Sequence, residues 1–81
     1  MSLQAEQSVI GCLLINENGI AEVAPILSPE MFTDSFLGRV YFEILNGFKT
    51  NTVVDAVTIA QRVKDSFRTE QDVSLELAEL V

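Results

Sequence analysis

Apolar side chains along this chain return every three or four positions and nowhere alternate over a useful length. Ala5, Val9 and Leu13 lie four apart, Cys12 widens the row, and Ile10 and Leu14 make a second one. Leu37, Tyr41, Ile44 and Phe48 repeat the spacing with Val40 and Leu45 beside them. Ala56, Ile59, Ala60, Val63 and Phe67 repeat it again, and Val73, Leu77 and Leu80 close the series. This is the period of an α-helix with one buried face, whereas a half-buried strand needs period two. Val53-Val54 is too short a run to make a strand. The expected class is therefore all-α, a bundle of about five to six helices. The 81 residues suffice for a single domain, 1–81, with a thin stability margin.

Capping and turn residues set the boundaries. The first helix is expected from about Leu3 to Ile15, central in the fold because two of its rows are apolar. Gly11 costs that helix about 1 kcal/mol relative to alanine, and its expected use is to let another helix approach closely. Asn16-Glu17-Asn18-Gly19 marks a turn, and a short helix follows over about Ile20 to Leu27, which Pro25 is expected to shorten, kink or end. Ser28 caps a single turn that has Pro29 in its first position and ends near Phe32. Asp34 or Ser35 caps a long helix ending at Phe48, whose last turn Gly47 weakens. After the loop Thr50-Asn51-Thr52, Val53 and Val54 approach extended and tuck into the core. Asp55 then caps a helix from Ala56 to Phe67 with Gln61, Arg62 and Lys64 on its polar face. Thr69 caps the last segment, which stops at Val81, still apolar and without a stop signal. That end reads as a piece of a longer chain.

Charge narrows the range of partners. Twelve acidic residues face five basic ones, for a net charge of −7, and no cation precedes Arg39. Nucleic-acid binding draws on lysine and arginine to neutralise phosphates, and no basic stripe is available. A basic protein is the better electrostatic match. The lone Cys12 sits in an apolar run and reads as a buried thiol. The chain has no histidine, no phosphate-binding loop and no calcium loop, so no catalytic, metal or cofactor site is expected. Val9 to Ile15 is far shorter than the roughly 20 residues of a membrane span, and no cationic segment precedes it. The expected setting is cytoplasmic. An acyl carrier is a weighed alternative, with Ser35 of Asp34-Ser35-Phe36 as the phosphopantetheine site. Met31-Phe32-Thr33 stands where carriers have a glycine, and a helix cap accounts for the pair.

Ala5-Glu6-Gln7-Ser8-Val9-Ile10-Gly11-Cys12-Leu13-Leu14 resembles the opening of the N-terminal domain of DnaB-type replicative helicases. Val23 with Leu27-Ser28-Pro29-Glu30-Met31-Phe32 resembles that family's next element, and Arg39-Val40-Tyr41-Phe42-Glu43-Ile44-Leu45 its third helix. Val54-Asp55-Ala56-Val57-Thr58-Ile59-Ala60 and Leu75-Glu76-Leu77-Ala78-Glu79-Leu80 are similar to two further elements, in order. The chain departs from the family at Gly38-Arg39, where His-Arg is common. It departs again at Asn51-Thr52-Val53, where Gly-x-Pro is usual, which leaves room for a phage or prophage helicase. The resemblance implies a compact orthogonal helical head that catalyses nothing. Such heads pair within a hexamer and belong to the region that engages primase in the primosome, while ATP and Mg serve a motor absent from this chain. It implies no catalytic residue here. Val9, Leu13, Leu27, Phe32, Tyr41, Ile44, Ile59 and Val63 are expected as core, Ser28, Asp34 and Asp55 as caps, and Glu6 as a cap or hydrogen-bonding partner. The competing reading is an unrelated acidic helical adaptor for a basic protein.

Overall fold

The computed structural model describes residues 1–16, 18–52, 54–63 and 70–81, with the side chains at 70, 71 and 74 left aside. Five α-helices run along them: α1 (Leu3–Ile15), α2 (Gly19–Val23), α3 (Ser35–Lys49), α4 (Ala56–Val63) and α5 (Glu70–Leu80). A single 3-10 turn, Pro29–Met31, lies between α2 and α3, and no strand occurs among the described residues.

Capping chemistry accounts for the helix entries. The Ala5 N–H donates to the Ser2 hydroxyl at 3.1 Å and starts α1. The Leu37 N–H donates to the Asp34 carboxylate at 3.0 Å and starts α3. At α4 both the N–H and the hydroxyl of Thr58 donate to Asp55 Oδ1 at 2.8 Å. Ser28 departs from its expected role. It holds the capping position, but its side chain makes no capping bond. The Met31 N–H already donates to the Ser28 carbonyl, and the nearby Ser28 hydroxyl helps hold the Glu30 carboxyl below its ordinary range. α2 stops at Val23, ahead of Pro25. α3 ends in a Schellman pattern: Thr52 N–H to the Gly47 carbonyl at 2.8 Å and Asn51 N–H to the Phe48 carbonyl at 3.3 Å. Asn51 takes the left-handed conformation this requires, at φ 56°.

α3 is the centre of the fold. Nine of its fifteen residues are buried, and it packs on α1, α2, the 3-10 turn and α4. α5 packs on α4 and on α1. The core joins Ile10 and Leu13 of α1, Phe32, Val40, Tyr41 and Ile44 around α3, Ile59 and Val63 of α4, and Val73 and Leu77 of α5. Val9, Leu27, Val54 and Leu80 pack at its margin, half-buried.

Three expectations are corrected. α1 is peripheral, since its inward line is Glu6, Ile10 and Leu13, and Ala5 and Cys12 are exposed. Cys12 is thus an exposed thiol. The reason is that Glu6 finds partners inside and takes an inward position, which turns the Ala5–Cys12 row outward. Phe48 is 46% exposed, because Gly47 takes the inward position in the last turn of α3, against the Val54 side chain. Val53, Lys64, Phe67 and the proposed cap Thr69 lie outside the described residues.

Candidate functional site

Two buried carboxylates hold the domain together and position its surface. Glu6 reaches from α1 to the entry of α3. The Thr33 hydroxyl donates to its Oε2 at 2.5 Å and the Asp34 N–H to its Oε1 at 3.0 Å. The Thr33 hydroxyl bond chiefly, with the backbone donors behind it, holds the Glu6 carboxyl below its ordinary range. Asp34 meanwhile spends its own side chain on Leu37, so one short segment carries both the docking of α1 and the start of α3. The second carboxylate is Glu43 on α3, gripped by Arg39 Nη2 at 3.0 Å and Arg62 Nη1 of α4 at 3.5 Å. The Arg39 guanidinium also lies 5.6 Å from the centre of the Phe42 ring. A third tie runs from the Tyr41 hydroxyl to the Leu27 carbonyl at 2.7 Å, and Tyr41 stacks on Phe32 with ring centres 5.1 Å apart. Burial pushes the Tyr41 hydroxyl above its ordinary pKa.

Around this frame two hollows lie among the described residues. One, of about 310 Å³, lies between α1, α2 and the end of α3. Leu13, Leu14, Ile20, Ile44, Phe48 and Val54 form its apolar walls, and Asn18, Asn51 and Thr52 its polar rim. The other, a shallow hollow of about 340 Å³, lies beside the 3-10 turn and is lined by Pro29, Phe32, Ser35, Gly38, Arg39 and Phe42 among others. Ser35 is the first residue of α3, next to its cap, as a helix entry requires. Among the described residues no group of three His, Cys, Asp or Glu is placed to hold a metal ion. Among them, too, no helix is long and apolar enough to cross a membrane. Phe48 stands exposed in the first hollow and Phe42 in the second, and Ile15, Ile26, Met31, Val57 and Leu75 are exposed elsewhere on the surface.

The expected core positions fall as follows. Leu13, Phe32, Tyr41, Ile44, Ile59 and Val63 are buried, and Val9 and Leu27 are half-buried. Asp34 and Asp55 make capping bonds and Ser28 does not. Sequence reasoning did not single out three interactions. The Ser2 cap is signalled by a serine directly before the apolar period. The Arg39–Glu43 pair is signalled by its i, i+4 spacing. The long-range reach of Glu6 to Thr33 and Asp34 has no local signal.

Amphipathic helices packed around one long central helix, with several apolar side chains left exposed, define a small helical domain among the described residues. Its sequence places it further. The profile of the DnaB-like helicase N terminal domain matches residues 1–81, and the chain belongs to that family. It is 31% identical over 70 residues to a protein of Rhodothermus marinus named replicative DNA helicase DnaB, an overlap covering 86% of this chain and 7% of that protein. The chain thus spans a small part of the length of that relative. No solved structure matches it at a significant level.

Proposed function

We propose that this domain is the assembly and primase-contacting head of an ATP-dependent replicative DNA helicase, working in the cytoplasm and catalysing no step itself. The observation that carries the reading is the family match along all of residues 1–81, joined to a relative named as a replicative DNA helicase. The surface supports it: apolar side chains stand exposed around a well-packed core, as a contact domain requires. ATP and Mg belong, in this reading, to a motor elsewhere in the parent protein, and so does contact with DNA. The net charge of −7 suits a head that keeps off phosphates.

The test is a titration of the chain with the C-terminal domain of the primase from the same source, followed by calorimetry, beside sedimentation of the chain alone. Saturable binding together with concentration-dependent self-association is expected. A chain that neither binds primase nor associates would overturn the reading. A second reading, an adaptor for a basic protein, draws on one observation. Arg39 and Arg62 are both engaged by Glu43, which takes most of the described positive charge out of play. Binding of a basic protein that collapses with added salt, without primase binding, would favour it.

A further inference from the structure

An asparagine followed by glycine is open to an intramolecular reaction, because the glycine nitrogen meets no side chain of its own on the way to the asparagine carboxamide. The sequence holds two such pairs, Asn18-Gly19 and Asn46-Gly47. The fold treats them differently. Asn46 and Gly47 lie inside α3, where Gly47 is buried against the Val54 side chain. There the Asn46 carbonyl accepts the Thr50 N–H at 3.0 Å and the Thr50 hydroxyl at 2.9 Å. Asn18-Gly19 lies at the entry of α2, a helix of five residues. Asn18 is exposed and its side chain makes no capping bond. The turn before it is closed by the Asn18 N–H on Asn16 Oδ1 at 3.2 Å and by the Gly19 N–H on the Asn16 carbonyl at 3.0 Å.

We infer that Asn18 is a self-modification site, deamidating in the folded protein while Asn46 is protected. The Gly19 nitrogen attacks Cγ of Asn18. A bond forms between these two atoms, and the bond from Cγ to the carboxamide nitrogen breaks. That nitrogen leaves as ammonia, carrying the proton that the Gly19 N–H gives up. Water then opens the cyclic imide at either carbonyl, leaving aspartate or isoaspartate at position 18. Water is the one co-reactant, and nothing is oxidised or reduced. Ring closure requires the Gly19 N–H to let go of the Asn16 carbonyl and the Asn18 backbone to leave its helical φ −75°, ψ −18°. An exposed turn opens at far lower cost than a central packed helix, so the fold gates the two pairs unequally. Position gives the change its weight. Asn18 stands on the rim of the hollow between α1, α2 and the end of α3, whose described lining includes no charged residue. Deamidation sets a carboxylate there and takes the chain one charge beyond −7. The inference goes beyond the assembly and primase reading and does not depend on it.

Peptide mapping by mass spectrometry tests it, after incubation at mildly alkaline pH of the native chain and of the chain in urea. In the folded protein Asn18 is expected to convert roughly tenfold faster than Asn46 or more, and in urea the two rates should come within about threefold. Gly19→Ala is accommodated by the fold, since the added carbon comes no nearer than 3.4 Å, to Leu13 Cδ2. It is expected to slow conversion at position 18 by roughly tenfold or more in both conditions, because the methyl hinders the attacking nitrogen. Circular dichroism verifies that the variant stays helical. Asn46 converting as fast as Asn18 in the folded chain would overturn the inference. So would an Asn18 that stays intact while the chain in urea converts, or a rate at position 18 that ignores Gly19→Ala.

Discussion

Two residues show how tightly single side chains constrain this head. A Cβ on Gly11 would collide with the backbone carbonyl of Leu80, at the end of α5. Backbone cannot swing aside as a flexible side chain does. Gly11→Ala is therefore expected to destabilise the domain by about 1–3 kcal/mol, despite the better helix propensity of alanine, by prising α5 from α1. Chemical denaturation reads the loss, and an unchanged midpoint would show that α5 shifts freely. Tyr41 makes the second case. Its ring is wholly buried and its hydroxyl serves the Leu27 carbonyl, ahead of the 3-10 turn. Tyr41→Phe keeps the stacking on Phe32 and removes that bond, for an expected cost of about 1–2 kcal/mol. The spacing of Tyr41 in its apolar stripe announces the buried ring. The hydroxyl's partner lies across a turn from it and has no trace in that spacing.

Among the elements, the two aspartate caps should behave alike in kind and differently in reach. Asp55→Ala removes the acceptor of two Thr58 bonds at the start of α4 and is expected to cost about 1 kcal/mol by thermal melting. Asp34→Ala should cost about the same, since the Asp34 N–H that serves Glu6 is backbone and survives the change. Acid should act on the same joints. Glu6 is held below its ordinary 4.5, first by the Thr33 hydroxyl, and Asp55 below its ordinary 3.8, first by the Thr58 N–H. A carboxyl with a lowered folded pKa lends stability that is complete above its unfolded value and fades as pH falls through the folded one. The melting temperature is thus expected to hold steady at neutral pH and to drop from about pH 4.5 downward, with a shallower acid drop in Glu6→Gln. Equal acid slopes in the two proteins would remove Glu6 from that account. Much of this level was legible in the chain: the bounds of α1, the start of α3 at Asp34 and of α4 at Asp55 follow from caps and period, whereas α2 ends at Val23, short of the expected Leu27. The rotation of α1 was not legible. Spacing sets Glu6 one turn before Ile10, but only the fold brings up the donors that let a carboxylate take an inward position there.

At the scale of the molecule, the fold class and the family follow from helical period and from ordered sequence resemblance, while the surface does not. Exposure of Cys12 and Phe48 depends on which neighbour claims the inward position, Glu6 in one case and Gly47 in the other. The Glu43 clasp gives a matching prediction. Arg62→Ala removes the longer of two arginine contacts and is expected to cost less than about 1 kcal/mol, because Arg39 still neutralises Glu43. A larger loss by denaturant titration would mean that Arg62 alone couples α3 to α4. One consequence of the Glu6 joint reaches further. Amides at a helix entry ordinarily trade their protons with solvent freely, since nothing within the helix bonds them. The Asp34 amide is instead sealed by a carboxylate from the far end of a long loop of chain. Its proton can leave only when α1 lifts off, so the deuterium uptake of that single amide clocks how often this head opens.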